Sequence, residues 1–320
     1  MRLTFEQAHK AGGEDMYRFA LAILLLISAA AAADETAGFA FLQIPVGARS
    51  AAMGGAFTAV RGDPLALHWN PANLISVEGN RLISSYTGYL MDMQAGFAGW
   101  AAPRSGDAFG VAVNYFNAGE FTRTTMSDPL GTGETFGSSS IALSGSYAMD
   151  LYTGLSAGIS GKLVYSKIDT YSANAFMADL GAAYAVPSVE GLTAALVVRN
   201  VGVQTQAFYK ENDPLPTEVA AGASMTLMDG DLLLAADATA PMNGDFDVAA
   251  GAEYRVVPML TLRAGGSLAD KNSADEAGGG FVDALSFGVG TGWNRFSLDY
   301  AFKPFADLGE VHRAGLAYRL

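Results

Sequence analysis

From Arg81 to the C-terminus, apolar and polar residues alternate every second position, a pattern that only extended chain with two unlike faces accommodates. In RFSLDYAFK, Phe296, Leu298, Tyr300 and Phe302 share one face and Ser297, Asp299, Ala301 and Lys303 the other. FDVAAGAEYRV sets Phe246, Val248, Tyr254 and Val256 against Asp247, Gly251, Glu253 and Arg255, and LSAGISGKLVY sets Leu155, Ile159, Leu163 and Tyr165 against Ser156, Ser160 and Lys162. The alternation predicts about fourteen strands, at 81–90, 94–102, 108–117, 138–149, 152–167, 174–186, 192–202, 217–228, 231–240, 246–257, 259–269, 284–293, 295–303 and 310–320. The short links PRSGD, MDLY, PSVEG, MDGD, VVPM and WNR read as turns, and the longer stretches Ala118–Gly137, Gly202–Pro216 and Asp270–Asp283 as loops. Short and long links alternate, as periplasmic turns and extracellular loops do at the two ends of an outer-membrane barrel.

A soluble sandwich or propeller also alternates, and composition decides between them. Only 16% of residues are charged, against about 25% in ordinary soluble domains. Lys162, Asp179, Arg199, Glu218, Asp237, Asp247, Glu253, Arg255, Arg263, Asp299, Lys303, Arg313 and Arg319 all occupy the phase opposite the apolar one. The rest of that phase is Gly, Ser, Ala and Thr, which suits a narrow lumen, and Tyr147, Tyr165, Tyr184, Tyr254, Trp293 and Phe302 gather near strand ends as interface girdles do. A charge facing lipid at mid-depth costs about 2–4 kcal/mol, so strict segregation is expected. The prediction is an all-β, transmembrane antiparallel β-barrel. On adjacent positions of one strand, Gly290→Asn is expected to be tolerated in the lumen and Val289→Asp to impair assembly. HRAGLAYRL closes the chain with Leu316, Tyr318 and Leu320 outward, similar to the terminal signal of outer-membrane barrels, with Leu in place of the usual final aromatic.

Ahead of the barrel, MYRFALAILLLISAAAAADET has a basic residue, an apolar run and an A-x-A-like site before Asp34. This is the pattern of an export leader. Residues 1–33 are assigned to the leader and an upstream extension, with Met16 the better start, 34–80 to an N-terminal hatch or plug, and 81–320 to the barrel, in the outer membrane of a Gram-negative bacterium. A net charge of −13 with no basic patch argues against nucleic acid. No cysteine is present, which removes disulfides and thiolate chemistry. His68 and His312, the histidines beyond the leader, have no metal-ligand spacing. GLSAG, Gly154–Gly158, matches a nucleophile elbow but runs through a strand instead of a strand-to-helix turn, and GVGTG, Gly288–Gly292, lacks the helix of a phosphate cradle. No enzyme activity and no cofactor is expected; His312, outward-facing, lacks the Ser and Asn neighbours of an outer-membrane phospholipase.

Residues 34–80 do not alternate. Gly47, Gly54 and Gly55 permit close approach and positive φ, and Ala48, Ala51, Ala52 and Ala56 a tight short helix. A buried Arg49 needs a carboxylate. Asn70-Pro71 fixes a turn, and Trp69 brings an apolar body with one N–H. The stretch FLQIPVGARSAAMGGAFTAVRGDPLALHWNPANL, Phe41–Leu74, resembles the N-terminal signature of the PorV/PorQ family, within the wider superfamily of FadL-like long-chain fatty-acid transporters. The resemblance implies a fourteen-stranded barrel plugged by an N-terminal hatch, with Arg49, Gly54, Gly55, Trp69, Asn70 and Pro71 as candidate ligand or hatch residues. Two roles remain open: passage of hydrophobic small molecules, and a non-transporting part in protein secretion of the type IX kind, with secretion-system or exported proteins as partners. Outer-membrane lipid surrounds the barrel in both.

Overall fold

The computed structural model describes residues 37–269, 284–305 and 309–320. Fourteen strands close into one antiparallel barrel. They are β1 Arg81–Gly88, β2 Gln94–Pro103, β3 Asp107–Thr122, β4 Thr135–Tyr152, β5 Leu155–Ile168, β6 Tyr171–Ala185 and β7 Leu192–Gln206, then β8 Glu218–Leu227, β9 Leu232–Pro241, β10 Asp247–Val257, β11 Leu260–Ser267, β12 Leu285–Trp293, β13 Phe296–Pro304 and β14 Glu310–Arg319. Each pairs with its sequence neighbours and β1 closes on β14, Arg81 opposite Arg319 and Gly88 opposite His312. Closure leaves no open sheet edge, which a lipid-embedded sheet requires. The six short links fall at one end, together with the start of β1 and the end of β14.

Alternation located every strand, but two of the three expected loops are shorter than the sequence suggests. β3 continues to Thr122 and β4 starts at Thr135, so much of 118–137 is hairpin. A bulge between Asn117 and Gly119 absorbs the break in pattern. There Gly119 takes φ +83°, its N–H donates to Asn117 Oδ1 at 2.8 Å, and the Phe121 and Phe136 rings meet at 5.5 Å beyond it. β7 likewise continues to Gln206. Its face switches at Asn200, in the left-handed region at φ +59°: Val197 and Arg199 point inward before it, and Val201 and Val203 outward after it. The third expected loop, 270–283, and the assigned leader lie outside the described residues.

The outer face is apolar and exposed (Leu163, Phe176, Leu262, Leu298, Leu316), while Lys162, Asp179, Arg199, Glu218, Asp237 and Arg263 are buried inside. Arg255 and Arg319 sit at strand ends and are exposed. His312 faces outward at the start of β14, its Nδ1 2.6 Å from the Tyr300 hydroxyl and its Nε2 3.0 Å from Glu310 Oε1.

The lumen is filled. Residues 37–80 run through it as two short helices, α1 Ala48–Ala52 and α2 Ala66–Trp69, with 3-10 turns at Ala40–Gln43 and Pro71–Ser76. Met53, Phe57, Val60, Leu65, Leu67 and Leu74 are fully buried there, each contributing about 1.5–3 kcal/mol of apolar burial. This inner segment approaches the wall where the wall has no side chain. A Cβ on Gly265 would lie 2.2 Å from the Met53 carbonyl carbon, and one on Gly181 would lie 2.0 Å from Asn70 Oδ1. Lumen-phase glycines therefore have room for a larger residue only where neither the inner segment nor an ion pair lies against them. At Gly290 a Cβ would meet Arg263 Nη1 at 2.5 Å and Asp299 Oδ1 at 2.6 Å, so asparagine there collides with an ion pair.

Candidate functional site

The inner segment turns back on itself after α1. Gly54 and Gly55 hold φ +67° and +87°, closing the turn with Gly54 N–H on Ala51 O and Gly55 N–H on Ser50 O, at 3.1 and 3.0 Å. At Gly54 a Cβ would sit 2.3 Å from the Gly266 nitrogen of β11, so this turn abuts the wall. The chain then meets Asp237 of β9, whose Oδ2 accepts from both Phe57 N–H and Thr58 N–H at 2.8 Å. Ser224 of β8 donates to Ala59 O at 2.8 Å. Each bond satisfies inner-segment backbone that belongs to no ladder, as buried backbone must be.

On the opposite side of the turn lies an ionic cluster. The Arg49 guanidinium spans Glu253 of β10, with Nε to Oε2 at 2.7 Å and Nη2 to Oε1 at 2.8 Å, and reaches Asp63 Oδ2 through Nη1 at 2.7 Å. Glu253 Oε2 also accepts from Arg263 Nε at 2.5 Å, and Arg263 Nη1 donates to Asp299 Oδ1 at 2.7 Å. Burial opposes the charge on Arg49, but Glu253 and Asp63 outweigh it and hold its pKa above the ordinary arginine value. The cluster divides along the boundary between segment and wall. Arg49 and Asp63 belong to the segment; Glu253, Arg263 and Asp299 belong to the barrel. If the two separate, Arg49 and Asp63 stay paired on the segment while Glu253 and Asp299 share Arg263 on the wall, so no group loses every partner, the outcome that makes breaking a buried pair costly.

α2 carries the second set. Asp63 Oδ1 accepts from Leu65 N–H at 2.8 Å, setting the turn into it. Asn70 ends it with extended backbone, φ −161°. Its Oδ1 accepts from Ala72 N–H at 3.1 Å, and its amide donates to Thr58 O at 3.1 Å and to Ala182 O of β6 at 3.4 Å. Pro71 starts the next turn against the backbone of Gly158, where its missing N–H leaves nothing unsatisfied. Trp69 donates Nε1–H to Val46 O at 3.1 Å. Its carbonyl accepts from Arg199 Nη1 at 2.9 Å, and that guanidinium, paired to Glu218 at 2.6 Å, lies 5.4 Å over the indole. His68, half-buried, packs edge-on against Trp69 and Phe97. Burial, with the nearby charges of Lys162 and Arg199, pushes its pKa well below the ordinary histidine value. It is neutral at pH 7.

The inner segment separates cavities. At the long-loop end, a space of about 390 Å³ has Gly54, Gly55, His68 and Trp69 in its floor, with Arg199, Tyr89 and Phe305 among its walls. At the short-turn end lie spaces of about 230 and 830 Å³, and Arg49 lines both. Of the residues singled out from sequence, Gly54, Gly55 and Trp69 thus face one compartment and Arg49 the other. Asn70 and Pro71 line none of these spaces; they anchor the segment to β5 and β6. Sequence reasoning placed Glu253, Arg263, Asp299, Asp237 and Arg199 on the lumen face without assigning them a role, and it gave none to Asp63 in the stretch Gly62–Leu74. The available signal was the lumen charge itself, since a charge facing inward must meet something there. Among the described residues, no His, Cys, Asp and Glu side chains gather as a metal site.

No protein-family model matches the sequence, and no curated protein does. Solved structures match along nearly the whole chain. The CymD monoaromatic hydrocarbon channel superposes with a TM-score of 0.64 at 14% identity, covering 87% of this chain and 98% of CymD. The toluene transporter TodX of Pseudomonas putida gives 0.60 at 14% identity, covering 90% and 99%. A FadL homologue of Pseudomonas aeruginosa gives 0.58 at 13% identity, covering 86% and 98%. The chain shares the fold of these channels. At such identity the likeness is one of backbone path alone.

Proposed function

We propose that this protein is a FadL-like channel in the outer membrane of a Gram-negative bacterium, passing apolar or amphipathic small molecules, with residues 34–80 as its hatch and 81–320 as its barrel. On this reading the short-turn end is periplasmic and the long-loop end extracellular. The observation that carries it is the partition: the 390 Å³ cavity on the extracellular side, the 230 and 830 Å³ cavities on the periplasmic side, and between them a segment tied to the wall through a divisible ion cluster. CymD and TodX supply the cargo class by analogy of fold. The mixture of aromatic and charged residues around the 390 Å³ cavity favours an amphipathic cargo over a purely hydrocarbon one.

Arg49→Ala tests the hatch. The substitution strands Asp63 without its cation, while Glu253 keeps Arg263. Losing one partner of a fully buried pair costs about 3–5 kcal/mol; this pair is part-buried, so the loss is smaller and falls on docking of the segment, not on the closed ladder. Uptake of a hydrophobic dye and conductance in a planar bilayer should rise, with normal amounts of barrel in the membrane. A folded Arg49→Ala protein that conducts like wild type overturns the gate.

The likeness of Phe41–Leu74 to the PorV/PorQ signature supports a second reading, in which the lumen stays shut and the protein serves secretion at the cell surface. Recovery of exported proteins with the barrel from native membranes, and no dye uptake by wild type or by Arg49→Ala, would favour it.

A further inference from the structure

We propose that the outer wall carries a phospholipid site on β2–β5, at the short-turn end. On this face the pattern of protruding apolar side chains is interrupted. Gly145 and Gly161, paired across β4 and β5, both point outward with nothing within 4 Å of the position a Cβ would take. They floor an apolar groove of about 420 Å³, with Phe109, Tyr147 and Ile159 along its short-turn side and Trp100 at one end. The Phe109 and Tyr147 rings pack against each other on that side, their centroids 4.9 Å apart.

The second observation is a cation at the mouth. Arg104, in the turn between β2 and β3, lies on the outer surface with its guanidinium 5.0 Å over the Phe109 ring. It is exposed and, among the described residues, has no ion pair; its backbone N–H donates to the Asp107 carbonyl at 2.7 Å. An arginine held at the level where strands leave the membrane meets lipid phosphate, and guanidinium suits that oxyanion through paired N–H donors. Groove and cation are one residue layer apart, which matches a lipid with its phosphodiester at Arg104 and one acyl chain past Phe109 into the depression. The ligand is a glycerophospholipid of the leaflet on the short-turn side. The inference rests on the barrel spanning a bilayer and not on cargo passing through it, so it stands or falls apart from the hatch.

The test is native mass spectrometry of the purified barrel with phosphatidylglycerol, as detergent or collision energy strips loosely held lipid. Wild type should retain one lipid. Gly145→Leu and Gly161→Leu fill the groove and should weaken retention by roughly tenfold, the equivalent of about two methylenes no longer buried. Arg104→Gln should weaken it by about fivefold, as for one basic residue at a membrane surface. Ala236→Leu, on the lipid face of β9 and far from the groove, should match wild type. The leucines lie on strands facing lipid, where they suit the fold; a heat-modifiable gel shift confirms folding of each variant. Retention by Gly161→Leu equal to wild type, or equal loss in Ala236→Leu, overturns the site, and an unchanged Arg104→Gln removes the headgroup from it.

Discussion

His68 shows how much one side chain depends on what packs around it. In sequence it is a lone histidine beside a tryptophan. In the fold it sits on the cavity floor, kept neutral first by burial and then by Lys162 and Arg199. Its folded pKa lies below the unfolded value of about 6.5. As pH falls through that value the unfolded chain takes up a proton that the folded one refuses. Stability then drops by up to about 1.4 kcal/mol per pH unit until the folded pKa is reached, and above the unfolded pKa the effect vanishes. The urea midpoint of the refolded barrel should therefore fall between pH 6.5 and pH 5 more steeply in wild type than in His68→Phe. Other titrating groups are common to both proteins, so the difference isolates His68. Parallel slopes would mean that its imidazole is as free to protonate in the fold as in the unfolded chain. The Arg49 reading has the same character: its need for a carboxylate followed from burying a guanidinium, but only the fold identifies Glu253 and Asp63.

At the scale of the strand, a residue's face and its freedom on that face are separate matters. Alternation gives the first. Val289 faces lipid, exposed, and Val289→Asp should lower assembly by about the 2–4 kcal/mol of a lipid-facing charge. Freedom depends on what the lumen holds. Gly290 and Gly292 share the inward phase, yet a Cβ on Gly290 collides with the Arg263–Asp299 pair while one on Gly292 meets nothing within 4 Å. Gly290→Asn should reduce the folded, heat-modifiable fraction and Gly292→Asn should leave it near wild type. Equal behaviour of the two would show that the Arg263–Asp299 pair yields without cost. Asn200 marks a further limit of alternation. Its side chain accepts from Lys162 at 2.7 Å and donates to Pro216 O at 3.0 Å, while its N–H donates to Asp179 at 2.8 Å. These bonds hold a left-handed residue inside β7 and turn the strand over. No periodicity announces that.

For the whole molecule, closure of fourteen strands with an apolar exterior predicts recovery with the outer membrane and a heat-modifiable band, because a closed ladder resists detergent until it is boiled. Recovery as a soluble monomer without detergent would contradict the membrane barrel. The architecture was legible in the sequence because lipid and lumen impose opposite chemistry on adjacent residues, a constraint written locally at every position from Arg81 on. The turns were legible for the same reason, since the pattern stops where the chain leaves the membrane. What the lumen contains was not local. Arg49 and Glu253 are 204 residues apart, and Asp237 meets Phe57 and Thr58 across 180 and 179 residues. Such pairs are chosen by the ring's register together with the path of the inner segment, and alternation encodes neither. The sequence by itself determined a barrel and sorted its charges inward. Only the tertiary structure decided that those charges are spent on holding a segment in the lumen, because a charge's partner is set by three-dimensional proximity and its face by period alone.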